Sequence, residues 1–244
     1  QDKKNYDYVD ASTYNTFSGA KARVDDIYAW CLPNTSSDPS WKYNSTGAAD
    51  LQSKSTEEYS GFGSFVDPDA PMTSQSGNNT VPDYFHNSGN NIQASVWGRI
   101  RNCNDVIYGI ENSTLSDEEK NELLGQVYFF RAWCYYNLVK WYGGVPIIET
   151  PQVYDPDDLE ALLVSRNTEE ESYNFILKDL NYAIEYLPKE RVASEKYRMN
   201  RFSAAALKTR AMLFAASIAK YGTYDKNGVV GFDNPDKAKK YYEE

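Results

Sequence analysis

One stretch constrains the fold more than any other: LSDEEKNELLGQVYFFRAWCYYNLVKWYGGVPII, from Leu115 to Ile148. It opens with Ser116-Asp117-Glu118-Glu119, the spacing of a capping box. The Ser hydroxyl accepts from the Glu119 N–H, and the Glu carboxylate reaches back to the Ser116 N–H. Leu123, Val127, Phe130, Cys134, Leu138 and Trp141 follow every three or four residues, which is one helix face. The opposite side is hardly polar, with Tyr128, Phe129, Ala132, Tyr135, Tyr136 and Val139 along it. A helix apolar all round must be covered by protein on several sides. Gly143-Gly144 tolerates the positive φ that ends a helix, and Pro146 prevents a restart. The chain therefore folds around a central helix over 116–142.

Five further helices can be read on either side. Asp10-Ala11-Ser12 offers caps for a helix over 12–32, with Phe17, Ala20, Val24, Ile27 and Cys31 on its seam and Pro33 as its stop. Ile92, Val96, Ile100, Cys103, Ile107 and Ile110 mark a helix over 92–110. Thr168 and Glu171 repeat the capping box before Tyr173, Ile176, Leu180, Ala183 and Leu187, a helix over 168–187 stopped by Pro188. Leu207, Ala211, Phe214, Ile218 and Tyr221 give a helix over 203–221, whose many alanines allow neighbours to approach closely. Asn234-Pro235-Asp236 caps a last helix over 235–244. Such helices with short antiparallel connections give an all-α, repeat-like scaffold.

Residues 34–91 break the pattern, being rich in Ser, Asn, Asp, Gly and Pro with no sustained period. This is a long loop insertion, punctuated by Trp41, Tyr43, Tyr59, Phe62, Phe65, Tyr84 and Phe85. A second connection, 149–164, is acidic and contains Asp155-Pro156-Asp157-Asp158.

Composition narrows the function. A net charge of −10 argues against nucleic-acid or anionic-membrane surfaces, which need basic patches. No run approaches the ~18 apolar residues of a membrane span. The 21 tyrosines supply apolar faces with polar tips. Cys31, Cys103 and Cys134 fall on apolar seams with no C-x-x-C spacing and read as buried thiols. A disulfide between two of them suits an oxidising compartment, and the sequence does not choose the pair.

Catalytic and cofactor signals are sparse. His86, the one histidine, sits in the Gly/Asn-rich loop without a supporting motif, so a Ser-His-Asp or Cys-His arrangement is not indicated. Phosphate-cradling glycine motifs are absent, and no cofactor is expected. Asp225-Lys226-Asn227-Gly228 resembles the start of a calcium loop but lacks its later ligands, and is read as a turn with no metal. The acidic runs 117–119, 155–158 and 169–171 lie at helix starts or in a linker, where the helix dipole already favours them.

Several blocks resemble the SusD/RagB family of glycan-binding outer-membrane lipoproteins. Gly125-Gln126, Phe129, Arg131-Ala132 and Tyr142-Gly143-Gly144-Val145-Pro146 match its G-[EQ]-x-x-F-x-R-A and [FWY]-G-G-V-P patterns. Gln126 stands where the family usually has Glu. Trp97 to Asn104 is similar to its W-x-x-x-x-x-x-N segment. Arg166, Tyr173, Ile176, Asp179-Leu180, Ala183 and Leu187-Pro188 match a third block, and Arg201-Phe202-Ser203 with Ala206 a fourth. Together these span Trp97 to Ala211.

The resemblance implies a tetratricopeptide-like scaffold within a chain of about twice this length, of which this is an N-terminal portion. It implies a lipidated Cys upstream of Gln1 and a surface-exposed place on the outer membrane. It also implies capture of an oligosaccharide or polysaccharide for a SusC-like TonB-dependent transporter, without catalysis. The expected glycan contacts are Trp41, Tyr43 and Tyr84 as stacking rings, with Asn44 and Asp50 as polar partners. Trp97 is a lesser candidate. A helical scaffold that binds protein is the alternative, and a glycan-active enzyme the least supported reading.

Overall fold

The computed structural model describes residues 11–31 and 96–244, without the side chains of Trp30 and Trp141. It divides into two compact units, Gln1–Tyr28 with Arg99–Glu244, and Ala29–Gly98. The first unit holds nearly all the described residues. The expected loop over 34–91, and with it His86, lies outside them.

Six α-helices are described: α1 (Phe17–Cys31), α2 (Val96–Glu111), α3 (Asp117–Tyr142), α4 (Glu169–Tyr186), α5 (Arg201–Tyr221) and α6 (Ala238–Glu243). No strand occurs among the described residues, and no helix there is long and apolar enough to cross a membrane. The all-α expectation holds.

Both expected capping boxes form. Ser116 and Thr168 each accept from the N–H three residues on, and Glu119 and Glu171 return the contact. Those hydrogen bonds, led for Glu119 by the Ser116 hydroxyl and for Glu171 by the Thr168 N–H, hold both carboxyls below their ordinary range. Central helix α3 is covered all round: Leu123, Val127, Phe130, Cys134 and Leu138 are buried, and so are Tyr128, Phe129, Ala132, Tyr135, Tyr136 and Val139. The three cysteines are buried and carry no disulfide.

Three boundaries and one register differ from expectation. The first helix begins at Phe17 rather than at residue 12, after a 3-10 turn over Ala11–Asn15. Thr16 is the residue that caps it, its hydroxyl accepting from Gly19 N at 3.2 Å. α5 begins two residues early because Asn200, not Ser203, is the cap, and Ser203 closes the box from the third position. The last helix opens as a 3-10 turn over Pro235–Lys237 before α6.

The buried stripe of α5 is Ala204, Leu207, Ala211, Ala215 and Ala219 with Met212 and Ala216, while Phe214 and Tyr221 point outward. This stripe packs chiefly against α4 and α6, and its many small residues allow close packing there.

Successive helices run antiparallel. At one end of the α3–α4 pair Gly125 faces Tyr186 and Leu187; at the other Gly144 lies against the backbone of Asn167–Glu169. The -Gly-Gly-Val-Pro- turn makes that second approach possible. Gly143 closes α3 at φ 71°, and its N–H donates to Val139 O. Gly144 is buried, with φ outside the left-handed region, and its N–H donates to Val229 O at 2.6 Å. Arg166 then binds the turn from outside, donating through Nε to Gly144 O at 2.8 Å and through Nη2 to Tyr142 O at 2.5 Å.

Candidate functional site

The residues that carry the family-like blocks meet at one point, and it is not a ligand site. Arg131 of α3 donates through Nε and Nη2 to both carboxylate oxygens of Asp179 on α4, at 2.7 and 2.8 Å. Its Nη1 donates to Asn104 Oδ1 of α2 at 2.8 Å and to Glu149 O at 3.2 Å. Asn104 in turn donates to Ile148 O at 2.8 Å.

The guanidinium also lies 5.3 Å from the Tyr128 ring centre and 5.0 Å from that of Phe175. Asp179 is fully buried and Arg131 nearly so. Burial disfavours charge on both. For Arg131 the adjacent carboxylate more than compensates and strengthens its hold on the proton; for Asp179 burial dominates, and its carboxyl sits above the usual range. At neutral pH the pair stays ionised, because a neutral Asp179 would strand a buried guanidinium. Residues from three separated sequence blocks thus form an interior knot that joins α2, α3 and α4. It is structural.

Gln126, where the family usually has Glu, is the hub of a second, smaller network. Its Oε1 accepts from Tyr28 OH and from Arg198 Nη1, both at 2.9 Å. Arg198 also bonds Asp25 of α1. An amide oxygen therefore serves where a carboxylate would pair with the same guanidinium, and Asp25 supplies the countercharge.

The Asp225–Gly228 stretch is the expected turn: Gly228 N–H donates to Asp225 O at 3.0 Å. The following Gly231 N–H donates to the buried Glu169 carboxylate at 2.6 Å. Burial raises the Glu169 carboxyl above its ordinary value; the Gly231 N–H opposes this and Asp225 adds to it. A raised carboxyl pKa favours the fold most in acid, and that benefit is lost as pH climbs past the raised value. Glu169→Gln keeps an acceptor for Gly231 without the charge. Its melting temperature relative to the parent chain should therefore be higher at pH 7 than at pH 4. An equal offset at both pH values would mean that Glu169 does not titrate differently on folding.

The expected glycan contacts Trp41, Tyr43, Asn44, Asp50 and Tyr84 all lie outside the described residues. Trp97, the lesser candidate, is half-buried at the start of α2.

A surface concavity lies between the first turns of α3, the end of α4 and the α4–α5 connection. It has a volume of about 370 Å³ and includes Glu118, Glu122, Tyr186, Glu190, Arg191 and Arg201 in its lining. Tyr186 belongs to a cluster of three tyrosine rings and lies 6.4 Å from Tyr128. Its centre lies 5.9 Å from Tyr182 at 17° between planes, and Tyr182 lies 5.1 Å from Tyr128. Sequence reasoning missed this cleft because the -Tyr-Ala-Ile-Glu-Tyr- spacing of α4 reads simply as helix surface. The relevant signal was Tyr182 and Tyr186 four residues apart beside a Pro-terminated helix end. No group of three or more His, Cys, Asp or Glu placed to hold a metal occurs among the described residues.

Comparison with known proteins places this scaffold. Residues 7–213 match the SusD-like family model described as starch-binding, associating with outer membrane. The chain is similar to SusD-like protein P2 of Formosa agariphila, 38% identical over 91 residues, which are 34% of this chain and 17% of that protein. It is 28% identical over 127 residues to a SusD-like protein of Bacteroides ovatus, 51% of this chain and 22% of that one.

Among solved structures, a SusD-like protein of Bacteroides fragilis superposes with TM-score 0.57 at 25% identity, covering 86% of this chain and 37% of that chain. A SusD-like carbohydrate-binding protein of the same species has the same TM-score at 23% identity, covering 86% and 39%. The chain thus spans well under half the length of the relatives it matches. The architecture it shares with them is the helical, tetratricopeptide-like one.

Proposed function

The chain belongs to the SusD-like family, and from that premise we propose that it binds glycan without cleaving it at the outer-membrane surface. In this reading a lipid on an upstream Cys anchors the protein, and captured oligosaccharide passes to a SusC-like TonB-dependent transporter. The match to a starch-binding family over residues 7–213 carries the reading.

The contacts assigned to glycan are Trp41, Tyr43 and Tyr84, whose ring faces would stack on sugar C–H faces, with Asn44 and Asp50 bonding hydroxyl edges. Calorimetric titration with malto-oligosaccharides and a panel of other soluble glycans tests this. Trp41→Ala should weaken binding about tenfold or more, since stacking one ring is worth roughly 1–3 kcal/mol. The helical circular dichroism should be unchanged. Full affinity after every one of the three aromatics is replaced by Ala would move the site elsewhere. Release of reducing ends, abolished by a single Asp or Glu change, would overturn the non-catalytic part.

A further inference from the structure

We propose that the cleft beside Tyr186 is a second saccharide subsite, built for one neutral hexose unit; the proposal rests on the glycan-binding reading above. At about 370 Å³ the cleft is at the small end of ligand sites. Its wall is fixed before any ligand arrives. Arg191 donates through Nε and Nη2 to Met199 O at 3.0 and 2.9 Å, and through Nη1 to Glu122 at 2.8 Å. Its side chain is only 4% exposed, so its donors are spent on the scaffold.

Other groups remain available. Arg201 uses Nε on Leu187 O at 3.3 Å, and its two terminal nitrogens bond nothing among the described residues. Glu118 and Glu190 are exposed and make no hydrogen bond there either. A half-buried ring, a guanidinium fork and carboxylates around one concavity are what a pyranose needs. Its C–H face lies on the aromatic and its neighbouring hydroxyls pair with planar two-pronged groups.

Charge sets the class. Four carboxylates, those of Glu118, Glu122, Glu190 and Glu195, line the cleft against the two guanidiniums of Arg191 and Arg201. Outside the lining, Lys21 and Arg198 lie 3.3 and 3.8 Å from Glu195, and both also pair with Asp25. Five carboxylates therefore face four cations, and one negative charge is left over. The remaining negative charge repels uronate or sulfated sugars and leaves neutral ones unaffected.

The test is a ¹⁵N-resolved titration of the full chain with maltotriose, laminaritriose and xylotriose as neutral probes, and trigalacturonate as the acidic one. At least one neutral probe should shift the amides of Tyr186, Glu190, Arg191 and Val192, equally in the parent chain and in Trp41→Ala. Glu190→Ala and Arg201→Gln, each checked by its melting temperature, should weaken that response at least tenfold. Trigalacturonate should leave these amides still.

If a neutral glycan binds the chain while these amides do not move, the subsite fails and the glycan-binding reading stands. If no glycan of the wider panel binds anywhere, both fail. Shifts with trigalacturonate, or with a lysine-rich peptide and no sugar, overturn the proposal by showing a cleft that selects by charge.

Discussion

Asp179→Ala should destabilise the chain by about 3–5 kcal/mol, the range for removing one partner of a buried ion pair. The substitution strands Arg131, whose side chain is 3% exposed, with two of its donors unmet and the carboxylate paired with it gone. Asn104 cannot replace the carboxylate, since its Oδ1 already accepts from Nη1 of the same guanidinium. Asp179→Asn should be nearly as damaging, because an amide offers one acceptor where two are used. Replacing the pair together, Arg131→Met with Asp179→Leu, should recover much of the loss, as apolar substitutes for buried ion pairs commonly do. Urea melts of the three variants decide the matter. A change below ~1 kcal/mol for Asp179→Ala would mean that water reaches the pair.

Gly144→Val should be comparably severe for a reason unrelated to torsion. A β-carbon on Gly144 would lie 2.1 Å from Asn167 O, 2.6 Å from Thr168 C and 2.7 Å from Glu169 N. All three are backbone atoms at the start of α4, so no side-chain rotation relieves the overlap. The first turn of α4 must then separate from the end of α3. Overpacking usually costs about 1–3 kcal/mol, and a backbone obstacle places this case at or above the upper end. Gly144→Ala should already show most of the loss, which separates lack of space from side-chain shape. Gly143, by contrast, is constrained by both its φ of 71° and a Val229 oxygen that would sit 2.4 Å away. Melting temperatures within a degree or two of the parent for Gly144→Ala would refute the close approach.

The helices could be read from sequence because their signals are local. Ser116 with Glu119, Thr168 with Glu171, and seams such as Tyr173–Ile176–Leu180–Ala183–Leu187 each sit within a few turns of chain. The register of α5 could not be read in the same way. Phe214, Ile218 and Tyr221 keep helical spacing as well as Ala204, Ala211 and Ala215 do. The choice between the two stripes depends on what packs against the helix, chiefly α4 and α6, which lie elsewhere in the sequence. The knot around Arg131 was visible only as fragments. Asn104, Arg131 and Asp179 belong to blocks whose spacing says nothing of their meeting, and the sequence reading gave them no role. The cleft at Tyr186 is harder still, since its walls come from the first turns of α3, the end of α4 and the connection that follows.

The α5 helix also affects how melting of this protein can be followed. Its inward stripe is mostly alanine, and several of its largest side chains face outward, with Phe202 62%, Leu213 56% and Tyr221 75% exposed. Environment-sensitive dyes that fluoresce on apolar surface are normally silent with a native chain and report its loss of packing. This chain offers such side chains while folded, so dye signal at low temperature is expected before any unfolding. Far-ultraviolet ellipticity, which follows the helices themselves, is the readout that separates the variants above.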